Sequence, residues 1–122
     1  MKLKLICCFK ELPYGEDKFG SIKDHIGCGE CKNKEKIIKY LDSGICVASC
    51  TGVSEDVIEP RNGVIGVPDA LTDGKYQWYG DLSYYVKKYN LMLPAEFIDN
   101  MAGNDWKITI TDKDIKGEIE YI

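Results

Sequence analysis

Apolar positions recur along the chain with two different periods, and the switches between them divide it into short strands and helices. Leu3, Leu5, Cys7 and Phe9 fall on alternate positions and predict a first strand with these four on one face. The Pro- and Gly-bearing stretch 12–20 reads as a loop, followed by a short helical turn around Ser21 to Ile26. Helical spacing then takes over. Asn33 is placed to cap a helix that runs to Leu41, with Ile37, Ile38 and Leu41 on one face and Gly44 as its stop. A strand at Ile45 to Ser49 follows. Thr51 to Pro68 is interrupted by Gly52, Pro60, Gly63, Gly66 and Pro68, so it predicts a long loop holding at most one short strand at Val64 to Val67.

The second half is more regular. Leu71 to Tyr79 carries Asp73-Gly74 between two extended pieces, the signal of a tight hairpin. Asp81 is placed to cap a helix in which Leu82, Tyr85, Val86 and Tyr89 share one face. Leu93-Pro94 predicts a third helix with Pro at its first position, Phe97, Ile98 and Met101 facing inward and Gly103 ending it. Trp106, Ile108 and Ile110 alternate with polar residues, as do Ile119 and Tyr121, which predicts a closing hairpin around Asp112 to Gly117. The sum is an α+β fold in one domain, residues 1–122, with a mainly antiparallel sheet and about three helices.

Composition adds little except through charge. The 122 residues carry 44% hydrophobic and 30% charged side chains, which excludes disorder, collagen-like repeats and coiled coil. The formal charge is −4, but unevenly spread. Residues 1–50 hold nine Lys against seven acids, whereas residues 51–122 hold seven bases against 13 acids. Arg61 is the single Arg, so the bidentate guanidinium chemistry of phosphate and base recognition is nearly absent and nucleic acid is not the expected ligand. An acidic half suits a basic protein partner, although mild acidity also serves solubility alone.

The start, Met1 to Phe9, is basic and then apolar for only five residues, too short for the apolar core of a secretory leader. No stretch approaches the ~20 apolar residues of a membrane span. A cytoplasmic location is the expectation. Six cysteines, at 7, 8, 28, 31, 46 and 50, leave three readings open. Cys28, Cys31, Cys46 and Cys50 have the spacing C-x2-C-x14-C-x3-C, which could present four thiolates to zinc in a small adaptor. Packed free thiols in a reducing compartment or disulfides account for the same count. Catalytic signatures are missing: there is no phosphate loop, dinucleotide fingerprint or nucleophile elbow, and His25 with Cys28 is the one pairing a Cys–His mechanism could use. With no nucleophile signature around it, His25 reads first as a lone surface His beside Asp24 and only distantly as a catalytic group. Tyr76, Trp78, Tyr79, Tyr84, Tyr85 and Tyr89 cluster in 14 residues, with most of them expected in the core and Tyr84, Lys87 and Lys88 nearer the surface.

The motifs Thr72-Asp73-Gly74-x-Tyr76-x-Trp78, Asp81-Leu82-x-Tyr84-Tyr85-Val86 and Leu93-Pro94-x-x-Phe97, with Tyr40 to Gly44 before the strand, call for comparison. Over about Leu12 to Met101 the chain resembles a family of small bacterial proteins that look like immunity partners of polymorphic or contact-dependent growth inhibition toxins. The four-cysteine spacing is not a feature of that pattern. The resemblance implies an antitoxin without catalysis or cofactor, which binds a cognate toxin C-terminal domain, a basic nuclease, and occludes its active or substrate-binding surface. Such work needs about 800 Å² per partner and roughly −12 kcal/mol of affinity. Acidic side chains would face the toxin's Lys and Arg. The candidates are Glu55, Asp56, Glu59, Asp69, Asp112, Asp114, Glu118 and Glu120, with Tyr84 as an aromatic contact.

Overall fold

The Asp73-Gly74 turn behaves as its sequence requires. Gly74 takes φ 97°, a region closed to most side chains, and the Asp73 carboxylate accepts the backbone N–H groups of Lys75 and Tyr76 at 3.0 and 2.8 Å. This closes β5 (Ala70–Thr72) onto β6 (Tyr76–Tyr79). Around the hairpin, a computed structural model describes residues 1–27, 32–49, 51–115 and 117–122 of the chain.

Alternation along the hairpin puts Leu71 and Trp78 on one face and Thr72 and Gln77 on the other. Trp78 and Phe97, both without exposed surface, pack with ring centroids 5.3 Å apart, and the Trp78 indole N–H donates to the Leu41 carbonyl at 3.1 Å. That bond binds the sheet to α1 (Lys34–Asp42), while Phe97 belongs to α3 (Ala95–Gly103). The third helix, α2 (Leu82–Tyr89), packs on α1 and buries Leu82, Tyr85 and Val86, as its periodicity predicts. The three helices are each eight or nine residues long, and no helix among the described residues is long and apolar enough to cross a membrane.

The main sheet has five strands in the order β2-β5-β6-β1-β7, where β1 is Lys2–Leu5, β2 is Ile45–Ala48 and β7 is Glu120–Tyr121. The pairs β2–β5 and β5–β6 are antiparallel, whereas β1 lies parallel to both β6 and β7. A separate antiparallel ribbon joins β3 (Ser54–Glu55) to β4 (Val64–Gly66). The chain is thus an α+β fold, with three α-helices and a mainly antiparallel set of strand pairs among the described residues and the core between α1, α3 and the Trp78 face of the sheet.

Three local expectations change. The first strand ends at Leu5, because Cys7 takes φ 59° and turns the chain; Ile6, Cys7, Cys8 and Phe9 are buried in succession instead of alternating. Pro94 sits at the cap position of α3 and not inside its first turn. The closing hairpin does not form. Asp105 and Trp106 take left-handed backbone angles, φ 55° and 58°, that interrupt an extended run, residues 107–110 pair with no strand, and Tyr121 is paired with Leu3 of β1. The Tyr121 hydroxyl then donates to Gln77 Oε1 at 2.8 Å on the sheet face away from Trp78.

Candidate protein-binding face

The stretch predicted as a loop between Thr51 and Pro68 is organised by one carboxylate. Asp56 Oδ1 accepts the backbone N–H groups of Ile58 and Glu59, both at 2.9 Å. Its Oδ2 accepts Asn62 Nδ2 at 2.9 Å and the hydroxyls of Tyr84 and Tyr89 at 2.8 and 2.5 Å. Burial alone would raise this carboxyl, but donors from Tyr89, Asn62, the Glu59 amide and Tyr84 outweigh it and hold Asp56 well below the usual carboxylate range. The same donors pull Pro60–Asn62 into a 3-10 turn and bring β4 back beside β3, where Glu55 registers with Val64.

Neighbouring hydroxyls fix the ribbon to the body. The Tyr85 hydroxyl accepts the Val57 N–H at 3.1 Å and donates to the Glu55 carbonyl at 3.2 Å. The Ser54 hydroxyl donates to Asp81 Oδ2 at 3.0 Å, and the Tyr14 hydroxyl donates to Asp81 Oδ1. Asp81 occupies the cap position of α2 but bonds none of its amides; its side chain turns inward to these two hydroxyls. Burial raises its carboxyl above the usual range, and the two donors offset only part of that. Tyr14 in turn stacks on Tyr79 with ring centroids 3.8 Å apart.

On this rigid support the outer surface is apolar with an acidic edge. Val53 is 58% exposed, Val64 61% and Val67 46%, and Glu55 is exposed directly across the ribbon from Val64. Exposed apolar side chains grouped beside charge are the composition of a protein contact, with the apolar part at its centre.

The expected contact residues divide. Glu55, Asp112, Asp114, Glu118 and Glu120 are exposed. Asp56 is a correction: it is 1% exposed and works as an internal clamp, because its five donors are worth more to it than water. Tyr84 is half-buried with its hydroxyl turned to Asp56. Glu59 forks with Arg61, at 2.8 and 3.1 Å, so its charge is locally matched. Asp69 is half-buried, and its carbonyl accepts the Gly80 N–H at 2.8 Å. Nor do the exposed acids form one patch. Asp112 and Asp114 share a 3-10 turn that packs against β2, whereas Glu120 lies on β7, four strand spacings or about 19 Å away across the sheet. The sequence reading missed Val53, Val64 and Val67, whose exposure depends on the ribbon.

The cysteine readings are only partly visible. Cys28, Cys31 and Cys50 lie outside the described residues, and Cys46 is exposed with its sulfur 3.6 Å from Ser49 Oγ. Among the described residues no three metal-ligating side chains converge. Cys7 and Cys8 are buried free thiols, and burial raises the Cys8 thiol to about 12. His25 is half-buried with its ring 5.2 Å from Phe9, against the expectation of a surface position.

No protein-family model, curated protein or solved structure matches the chain.

Proposed function

We propose that the chain is an immunity protein of the cytoplasm, which binds a cognate toxin domain, a basic nuclease, and occludes its working surface through the β3–β4 ribbon. The observation that carries this reading is the exposed trio Val53, Val64 and Val67 beside Glu55, held from beneath by Asp56. Burying a fully exposed Val side chain contributes about 1.5 kcal/mol, and with about half of each still exposed the three supply about 2.5 kcal/mol of the roughly −12 needed. A clamped ribbon loses little freedom on binding, which favours affinity at a given area. Glu55 and the other exposed acids would draw in a basic partner and set its orientation.

The buried carboxylates agree with a binding role. Asp56, Asp73 and Asp81 are each taken up by tyrosine hydroxyls that join one element to another: Tyr84 and Tyr89, Tyr40, and Tyr14 respectively. Their chemistry is spent on holding the scaffold.

Co-expression with the protein encoded immediately upstream, followed by pull-down and growth rescue, tests the reading. A stable complex that rescues growth is expected, and Val64→Asp with Glu55→Lys should weaken it at least thirtyfold, the scale of a contact hot spot. Absence of complex and rescue refutes the immunity role. Rescue that survives both substitutions refutes the ribbon as its site.

A further inference from the structure

A second feature of the fold is independent of the ribbon. Where β1 turns at Cys7, four chain segments leave a cavity of about 450 Å³, within the range of small-molecule clefts. Its walls are Phe9, Phe19, Met92, Leu93 and Pro94, with Ala95 at the opening of α3. Among the described residues, three of its side chains carry polar atoms, the Cys7 thiol, the His25 imidazole and the Lys18 ammonium, and no acid lines it.

The charge of Lys18 is available. Lys18 pairs with Glu16 at 3.8 Å, but both side chains are more than half exposed, so water and salt screen the pair. Its ammonium sits 5.3 Å from the Phe19 ring centroid, at the edge of the apolar wall. Cys7 is 5% exposed and makes no hydrogen bond among the described residues, leaving a weak donor on the wall. The positive end of α3, with Pro94 offering no side-chain cap, adds to the same sign of potential. The His25 ring lies tilted at 36° to Phe9, and its carbonyl accepts the Met92 N–H at 2.8 Å, so the two sides of the cavity are tied together.

We infer that this cavity binds a small flat molecule with an apolar body and a single carboxylate. The body rests against Phe9, Phe19 and Leu93, and the carboxylate meets Lys18 and His25 at the rim. A neutral ligand of the same shape gains the apolar contacts alone, and a cationic one meets Lys18 unfavourably.

The probe is 2-naphthoate, with 2-naphthylmethanol as its uncharged counterpart, titrated into the full chain by calorimetry and by ¹⁵N–¹H correlation spectra. Naphthoate should bind with Kd below about 1 mM and about tenfold more tightly than the alcohol, the scale of one charged hydrogen bond. Its shifts should centre on Phe9, Phe19, His25 and Met92. Lys18→Gln, at an exposed position, should erase the preference for naphthoate while leaving the alcohol's affinity unchanged, and Ala95→Phe should abolish binding of both. The inference is overturned if neither probe binds by about 1 mM, if they bind equally, if the shifts centre elsewhere, or if Lys18→Gln keeps the preference.

Discussion

Replacing Asp56 by Asn separates the clamp from its shape. An amide in the same place keeps an oxygen for the Ile58 and Glu59 N–H groups but turns an NH₂ toward Asn62 and the Tyr84 and Tyr89 hydroxyls. Each hydrogen bond to a charged acceptor contributes about 1.5–3 kcal/mol, and the two hydroxyls can rotate to accept instead of donate. The Asn62 NH₂ cannot, and flipping that amide to present its oxygen gives up its own contacts with the two hydroxyls. A loss of about 3 kcal/mol follows, which for a 122-residue domain lowers Tm by roughly 10 °C. The pH dependence gives a second constraint. Because the folded-state value lies below the unfolded one, near 3.9, the carboxylate's contribution is complete above that value and declines as pH falls toward the folded value. At pH 3 the gap between wild type and variant should therefore narrow by about 1 kcal/mol. Urea unfolding at pH 7 and pH 3, with Tm at both, reads these quantities. A Tm change under about 3 °C at pH 7, or a gap that stays constant in acid, would refute the clamp.

Asp81→Asn should behave in the opposite sense. Its carboxyl is raised in the folded state, so ionisation opposes folding as pH rises above the unfolded value, and the amide variant should cost less than about 1 kcal/mol at pH 7 with a flatter stability profile; a loss as large as that of Asp56→Asn would contradict this. Gly15→Ala should destabilise by at least about 3 kcal/mol in urea unfolding, since a Cβ there would lie 1.8 Å from the Phe9 carbonyl oxygen. Lys4→Ala should change Tm by no more than a few degrees, because its pair with Glu96, though 2.5 Å long, is about half exposed on both sides.

The helices and the β5–β6 hairpin were legible because their signals are local. Tyr85 and Val86 sit on the helical face that their spacing requires, and Asp73-Gly74 encodes its turn within four residues. Asp56 was not legible as a clamp. Its partners Tyr84 and Tyr89 lie on α2, and an Asp in a Pro- and Gly-rich stretch has the composition of solvated loop. The only local hint was an Asp ahead of Pro60-Arg61-Asn62-Gly63, the context of a side-chain-to-backbone turn. Residues 106–110 misled for a related reason. Trp106, Ile108 and Ile110 are half-buried and do alternate, but their cover is tertiary: Trp106 faces Lys36 of α1, and Ile110 lies beside Gly74 at the hairpin.

The motifs behind the immunity resemblance are also informative by position. Thr72, Asp73, Tyr76, Trp78, Asp81, Leu82, Tyr85, Val86, Leu93 and Phe97 are all buried. They specify the scaffold. The exposed residues on which the proposed binding face rests, Val53, Glu55, Val64 and Val67, lie outside them.

The placement of β1 between β6 and β7 has a consequence for biosynthesis. The Met1 nitrogen bonds the Glu118 carbonyl across 117 positions, and Lys4 is registered with Tyr76. At about 5–20 residues per second, a ribosome takes roughly 6 to 24 s to travel from the first of these contacts to the last. For roughly the first 4 to 14 s, until Tyr76 is made, Leu3 and Leu5 lack β6, and β7 follows only at the end of the interval. Within this chain the apolar segment is thus made well before either strand that flanks β1, which makes it a natural point for a chaperone to hold.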